Sequence, residues 1–256
     1  MYLIDTHCHL DVGEFAPDRE AVIARTRAAG VAEVVVPGIH RDEWPDVEAL
    51  CRDDDGLHPA FGLHPVYLER HRDEHVADLR RWAADRHPVA IGEIGLDHYV
   101  KGLDQGRQLA LFEGQLQVAR DFGLPVLLHV RKAHDRVLEA LARYDIRGGI
   151  CHAFNGSIQQ AGKYLERDFK LGFGGMVTYE RSSKLRALAR ELPLEAIVLE
   201  TDAPDMTVAS HRFGRNSPEY LPEVAEAIAE VRGIDTETVA RETTANARAV
   251  LGLAGQ

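Results

Sequence analysis

The chain has 256 residues, 45% of them hydrophobic and 28% charged, with a formal charge of −11. That charge excludes a bulk electrostatic grip on nucleic acid, which needs Lys and Arg against phosphates. No apolar run approaches the roughly 18 residues of a membrane span, so a membrane protein is not expected.

Short apolar runs alternate with amphipathic stretches. The chain opens on MYLIDTHCHLDVGE, which has no basic n-region and carries acids early, so no signal peptide is expected. Strands are expected at Leu3–Thr6, Glu33–Pro37, His58–Leu63 and Val89–Gly92, then at Pro125–His129, Gly149–Cys151, Lys170–Gly174 and Ile197–Glu200. Helix-like segments lie between them at Asp18–Ala29, His75–Asp85, Gln105–Phe122, Ala133–Arg143, Ile158–Glu166 and Ser182–Glu191. Pro218–Gly233 and Asp235–Leu251 read as two closing helices. Strands alternating with helices predict a parallel sheet, and this many units in this length favour a closed α/β barrel filling one domain, residues 1–256. Cys8, Cys51 and Cys151 are an odd number without CxxC spacing, which suits a reducing cytoplasm.

In such a barrel the chemistry sits where strands end, and the polar residues fall there. IDTHCHL ends the first strand with Asp5, His7 and His9, alternate residues that share a face. Two imidazoles at that spacing can grip one ion. Asp5, lying deeper, can orient a ligand histidine, and Cys8 reads as a small buried residue turned towards the helices. His64 follows the third strand in GLHP, Glu93 and Asp97 the fourth in GEIGLD, and His129 and Arg131 the fifth in LLHVR. His152 and Asn155 follow the sixth in CHAFNG, and Glu200, Asp202 and Asp205 the eighth in LETDAPD.

Ionisable groups converging on one barrel face are costly to bury uncompensated, and metal ions compensate them. The histidines at 7, 9, 129 and 152 with the carboxylates of Glu93 and Asp202 are too many donors for one ion and suit two. Imidazole with carboxylate fits Zn, Mn, Fe, Co or Ni, and carboxylate with water also fits Mg. Barrel hydrolases with a His-x-His on the first strand often bridge their ions with a modified lysine on the fourth. Here that position is Glu93, the nearest lysine is Lys101 out in a loop, and Glu93 is the expected bridge. Asp202 can bind an ion and take a proton from water whose pKa the ions lower.

Together IDTHCHL, GLHP, VAIGEIGLD, LPVLLHVR, CHAFNGS, VLETDAPD and the closing TTANARAVLGL, with Asn246, resemble the TatD family of metal-dependent hydrolases and deoxyribonucleases, in order and over essentially the whole chain. LPVLLHVRKAHD and GGMVTYERSSK resemble its YjjV-like branch. The resemblance implies a TIM (β/α)8 barrel with two divalent ions: His7, His9, Glu93 and Asp202 would hold one, and Glu93, His129 and His152 the other. His64 would face the scissile group. Arg131 would either clamp a phosphate or form a rim salt bridge. Asn155 would either contact substrate or cap the helix opening at Ser157. Glu200 would hold a ligand histidine, and Asp205 would shape the pocket mouth. His98 and the polar loop HYVKGLDQG depart from many relatives and bear on substrate choice, whereas Asn216-Ser217-Pro218 keeps a feature of theirs.

Of the other histidines, His58, His71, His75, His87 and His211 are expected on the surface, His40 at the pocket rim or the surface, and His134 in a structural role. Arg52-Asp53-Asp54-Asp55 lacks calcium-loop spacing and reads as a solvated turn. Two functions follow. One is a metal-dependent deoxyribonuclease that trims single-stranded or frayed DNA ends from 3' to 5', with Phe61, Phe154, Tyr179 and Phe213 available either to stack bases or to line an apolar slot. The other is a small-molecule hydrolase cutting a carboxylic ester, lactone, amide or phosphate ester with the same ions. No membrane and no obligate protein partner is expected for either.

Overall fold

The computed structural model describes residues 1–254. Eight strands run in the order β1 to β8, each parallel to the next. They are β1 (Leu3–Asp5), β2 (Val31–Gly38), β3 (Leu57–Phe61), β4 (Ala90–Asp97), β5 (Val126–Arg131), β6 (Gly149–Cys151), β7 (Phe169–Phe173) and β8 (Ile197–Leu199). The connecting helices are α1 (Arg19–Ala28), α2 (Trp44–Arg52), α3 (Glu74–Arg86), α4 (Gln105–Phe122), α5 (His134–Leu141), α6 (Ile158–Leu165) and α7 (Ser183–Glu191), followed by α8 (Leu221–Arg232) and α9 (Thr236–Leu251). No helix among the described residues is long and apolar enough to cross a membrane.

The ring closes between β1 and β8 through the motif residues themselves. Thr6 N donates to Leu199 O at 3.0 Å, Asp202 N to His7 O at 2.8 Å and His9 N to Ala203 O at 2.9 Å. Asp5 reinforces the seam, accepting from Thr201 N at 3.0 Å and Thr201 Oγ1 at 2.5 Å.

Strands buried on both faces must be apolar throughout, which is why VVVP on β2 shows no alternation. Alternate residues nevertheless divide two cores. Ile4, Val35, Ala60, Ala90, Leu127, Ile150 and Val198 pack inside the barrel, where Ala247, Val250 and Leu251 of α9 join them. Asn246 fixes that helix by donating to Leu194 O and Ile197 O at 2.9 and 2.8 Å. Leu3, Val34, Val36, Phe61, Ile91 and Leu96 face outward to Trp44, Phe112 and Leu116 on the helices. Fully burying a side chain such as Phe112 contributes about 2–3 kcal/mol. Cys8 belongs to this outer layer, as its place in the motif predicts.

Two elements depart from the sequence reading. Helix α2 was not expected. It is nine residues long, with Pro45 in its first turn and Trp44, Val47 and Cys51 buried. Strand β4 runs on to Asp97, past Gly92 and Gly95, which sequence patterning treats as breakers. Gly95, at φ 147°, is needed because a Cβ there would lie 2.0 Å from His129 O on β5.

The histidines near β3 also differ from expectation. His71 and His75 are buried with His40 rather than solvated. His71 Nε2 donates to His64 O at 2.8 Å and His40 Nε2 to Arg70 O at 3.2 Å, so these rings hold the loop after β3. His58 is half-buried against Glu33 Oε2 at 2.6 Å, whereas His87 and His211 are exposed.

Candidate metal centre

The strand ends converge on a cavity of about 690 Å³ whose lining includes His9, His64, Glu93, His129, His152 and Asp202. Glu93, buried at 2% exposure, stands in the middle. Its Oε2 lies 3.1 Å from His7 Nε2 and 3.5 Å from His9 Nε2, and its Oε1 lies 3.0 Å from His129 Nδ1 and 3.3 Å from His64 Nε2. Asp202 Oδ1 completes the first group, 3.8 Å from His7 Nε2 and 3.7 Å from His9 Nε2.

Donors held about 2.0–2.2 Å from one ion stand about 3.3 Å apart along a tetrahedral edge, so these spacings suit a divalent cation. The donor chemistry suits it too, since imidazole nitrogens of His7 and His9 and a carboxylate oxygen of Asp202 share one small space. His7, His9 and Asp202 form one cluster able to hold an ion, His64, Glu93 and His129 form another, and His7, Glu93 and His152 a third. His152 therefore stands on the His7 side, its ring stacked on that of His7 with centroids 3.8 Å apart and its Nε2 3.6 Å from Asp202 Oδ1. On the other side it is His64, not His152, that meets Glu93 and His129.

Without an ion these groups neutralise one another with protons. Burial works against a charged His9, but the hydrogen bond and charge of Glu93, with Asp202, hold it up at about 9. Burial likewise opposes a charged His152, yet Glu200 and Asp202 raise it to about 10. Burial pushes His7 down to about 3, helped by His152, and Asp202 up to about 6 against the pull of His152 and His9. Burial also lowers His64.

The supporting residues act as follows. Asp5 orients His7 through its backbone rather than its ring, accepting from His7 N at 3.1 Å, because its remaining capacity is taken by Thr201. Glu200 accepts from Ala153 N at 2.6 Å and lies 3.1 Å from His152 Nδ1, close enough for ion pairing although off the line of a hydrogen bond. Asp97, to which the sequence reading gave no role, approaches His129 Nε2 at 3.0 Å. It is Glu93+4, and strand alternation would have put it on the same face had β4 been read to its end. Asn216 donates to Thr201 O and Asp205 O at 2.8 and 2.7 Å, fixing the loop that carries Asp202.

The structure removes the salt bridge for Arg131 and the helix cap for Asn155, and corrects one expectation. Arg131 has no carboxylate partner among the described residues, and its guanidinium lies 3.8 Å from the Tyr99 ring centroid. Asn155 does not cap the helix. Ser157 does so itself, in a capping box with Gln160, while Asn155 lines the cavity near His134 Nε2 at 3.4 Å. Phe61 and Phe154 are buried core residues and present no face to a base, whereas Phe213 is 93% exposed.

Nitrogen and carboxylate donors at the mouth of a parallel barrel define a metal-dependent hydrolase. A family model described as TatD related DNase matches residues 4–252, and the chain belongs to the TatD family. It is 40% identical to the metal-dependent hydrolase YjjV of Escherichia coli K12 over 93% of both chains. It is 34% identical to the 3'-5' ssDNA/RNA exonuclease TatD of Cronobacter sakazakii over 96% of both. The crystal structure of Escherichia coli YjjV superposes with a TM-score of 0.94 at 37% identity, covering 98% of each chain.

Proposed function

We propose that this enzyme is a two-metal exonuclease that hydrolyses phosphodiester bonds of single-stranded DNA from the 3' end. The observation that carries the reading is Glu93, which turns one oxygen to His7 and His9 and the other to His64 and His129. The name of the Cronobacter relative supplies the substrate and polarity.

His7, His9, Glu93, Asp202 and His152 would hold one ion, and Glu93, His129 and His64 the other. Two bound divalent ions supply charge for the attacked phosphate and lower the pKa of water. The chain's own residues do the rest. Asp202 faces the cavity, where its carboxylate would take a proton from the attacking water and return it. His64 is held in its neutral form by burial, so it serves as a nitrogen donor rather than a cation. Arg131, with no carboxylate partner among the described residues, lines the cavity and would meet a phosphate there.

The test is degradation of end-labelled single-stranded DNA by protein loaded with Mg²⁺ or Mn²⁺, beside Asp202→Asn. Stepwise shortening from the 3' end by wild type alone supports the reading. No cleavage of DNA together with turnover of an ester, lactone or phosphate monoester would replace it with the small-molecule hydrolase.

A further inference from the structure

On a chain of net charge −11, most arginines are paired with carboxylates, as Arg80 is with Asp121 and Arg41 with Asp78. The end of β5 is among the places where they are not, and there the cations meet a ring. Arg131 and Lys132 are exposed, and neither has a carboxylate partner among the described residues. Both instead approach Tyr99, Arg131 Cζ at 3.8 Å and Lys132 Nζ at 5.1 Å from the ring centroid. Tyr99 is itself 51% exposed. Lys132 has a left-handed backbone, φ 54°.

This platform is tied to the metal centre. Asp97 Oδ1 accepts from Tyr99 N at 2.8 Å and Val100 N at 2.9 Å, while its Oδ2 meets His129. Arg131 lines the same cavity as Glu93 and Asp202. An exposed ring with a guanidinium stacked on it, flanked by a second cation, matches a ligand that carries flat π-faces on an anionic backbone.

We propose that Tyr99, Arg131 and Lys132 form a subsite for single-stranded nucleic acid beside the metal centre, with a base stacked on the Tyr99–Arg131 pair and backbone phosphates on Arg131 and Lys132. The subsite rests on the exonuclease reading and adds to it a second point of attachment for the strand. It also accounts for how an acidic protein holds a polyanion. Two adjacent cations at the end of β5 meet an exposed ring from the loop after β4, a local basic site on a chain with no extended basic track.

The experiment is fluorescence anisotropy of a labelled phosphorothioate oligothymidylate, of about twelve nucleotides, against Mn²⁺-loaded protein. A backbone of the same length lacking bases is the control. Tyr99→Ala should weaken oligothymidylate binding about 5- to 100-fold, leave the abasic strand unaffected, and be rescued by Tyr99→Trp. Arg131→Ala and Lys132→Ala should each lower the slope of log affinity against log salt by about 0.7. Lys163→Ala, on α6, should change nothing.

Binding of oligothymidylate that ignores Tyr99→Ala, an equal loss on the abasic strand, equal displacement by an acidic polypeptide, or no binding at low salt would each overturn the subsite. Tyr99-dependent binding without strand shortening would sink the exonuclease reading and leave the subsite standing. Shortening that ignores Tyr99 would do the reverse.

Discussion

Asp97 holds His129 from behind. Its Oδ2 lies 3.0 Å from His129 Nε2, which leaves His129 Nδ1 to face Glu93 Oε1 at 3.0 Å. Burial works to raise Asp97, but the His129 hydrogen bond and the amides of Val100 and Tyr99 bring it down to about 2, so it stands as a carboxylate that accepts a proton-bearing Nε2. A carboxylate behind an imidazole fixes its tautomer and raises its basicity, and losing it typically costs 10- to 100-fold in metal affinity or activity. Asp97→Asn keeps an oxygen for the two amides while placing a mismatched group against Nε2. We expect a loss of about tenfold or more in metal affinity at the second cluster with little change in melting temperature. Undiminished metal content and activity in Asp97→Asn would show that His129 orients itself.

Metal binding should strengthen with pH. In the metal-free chain His9 and His152 retain protons up to about 9 and 10. An ion entering below those values must displace them, so its affinity falls as pH falls, by up to about tenfold per unit for each proton lost. Chelator competition across neutral to alkaline pH measures the slope, and calorimetry in buffers of different ionisation enthalpy counts the protons. A flat profile would show that the histidines are not the ligands. Metal content by mass spectrometry gives the partition: His7→Ala with His9→Ala should lose about one equivalent, and Glu93→Gln should weaken both ions. If the double variant keeps two ions, the assignment is wrong.

At the opposite end of the barrel the acid limb of stability should depend on Glu33. Burial pushes its carboxyl up, but Arg248, Tyr2 and His58 outweigh that and hold it below the usual glutamate value. Tyr2 Oη and Arg248 Nη2 both donate to Oε1 at 2.8 Å. A carboxyl with a depressed folded pKa stabilises above its unfolded value of about 4.3, and that contribution disappears as pH falls through the folded value. Glu33→Gln should therefore cost about 1–2 kcal/mol at neutral pH and progressively less in acid. Denaturant unfolding at a series of pH values tests this, and a constant gap between the two proteins would contradict it.

The barrel was legible because alternating apolar runs and helical stretches leave little choice of topology. The candidate donors could be located because each motif ends a strand: His7, His9, Glu93, His129 and Asp202 needed only their sequence positions to be gathered at one mouth. What stayed hidden depends on geometry between strands. His152 stands on the His7 side of Glu93 rather than beside His129 as the resemblance implies, and His64 stands against Glu93 and His129, because ring placement follows packing, such as the stacking of His152 on His7. Burial of His71 and His75 comes from a loop folded back on β3, which no local pattern encodes. Asp97 was obscured by two glycines that look like breakers and are instead places where neighbouring strands approach closely.

Gly172 shows the same constraint and gives the sharpest steric test. On β7 it lies level with Val198 of β8, and a Cβ there would stand 2.1 Å from Glu200 Oε2 and 2.6 Å from Glu200 Cδ. The missing side chain is thus the space the Glu200 carboxylate occupies beside His152 and Ala153 N. Gly172→Ala must displace that carboxylate, which strands a buried amide and frees His152. We expect a stability loss of about 1–3 kcal/mol and weaker retention of the ion beside His7, by about tenfold. Removing the obstacle should undo the clash, so Gly172→Ala combined with Glu200→Ala should cost clearly less stability than the two single changes added together. Strict additivity in that cycle would mean the methyl group finds room elsewhere, and Glu200 would then need another account of how it is held against His152.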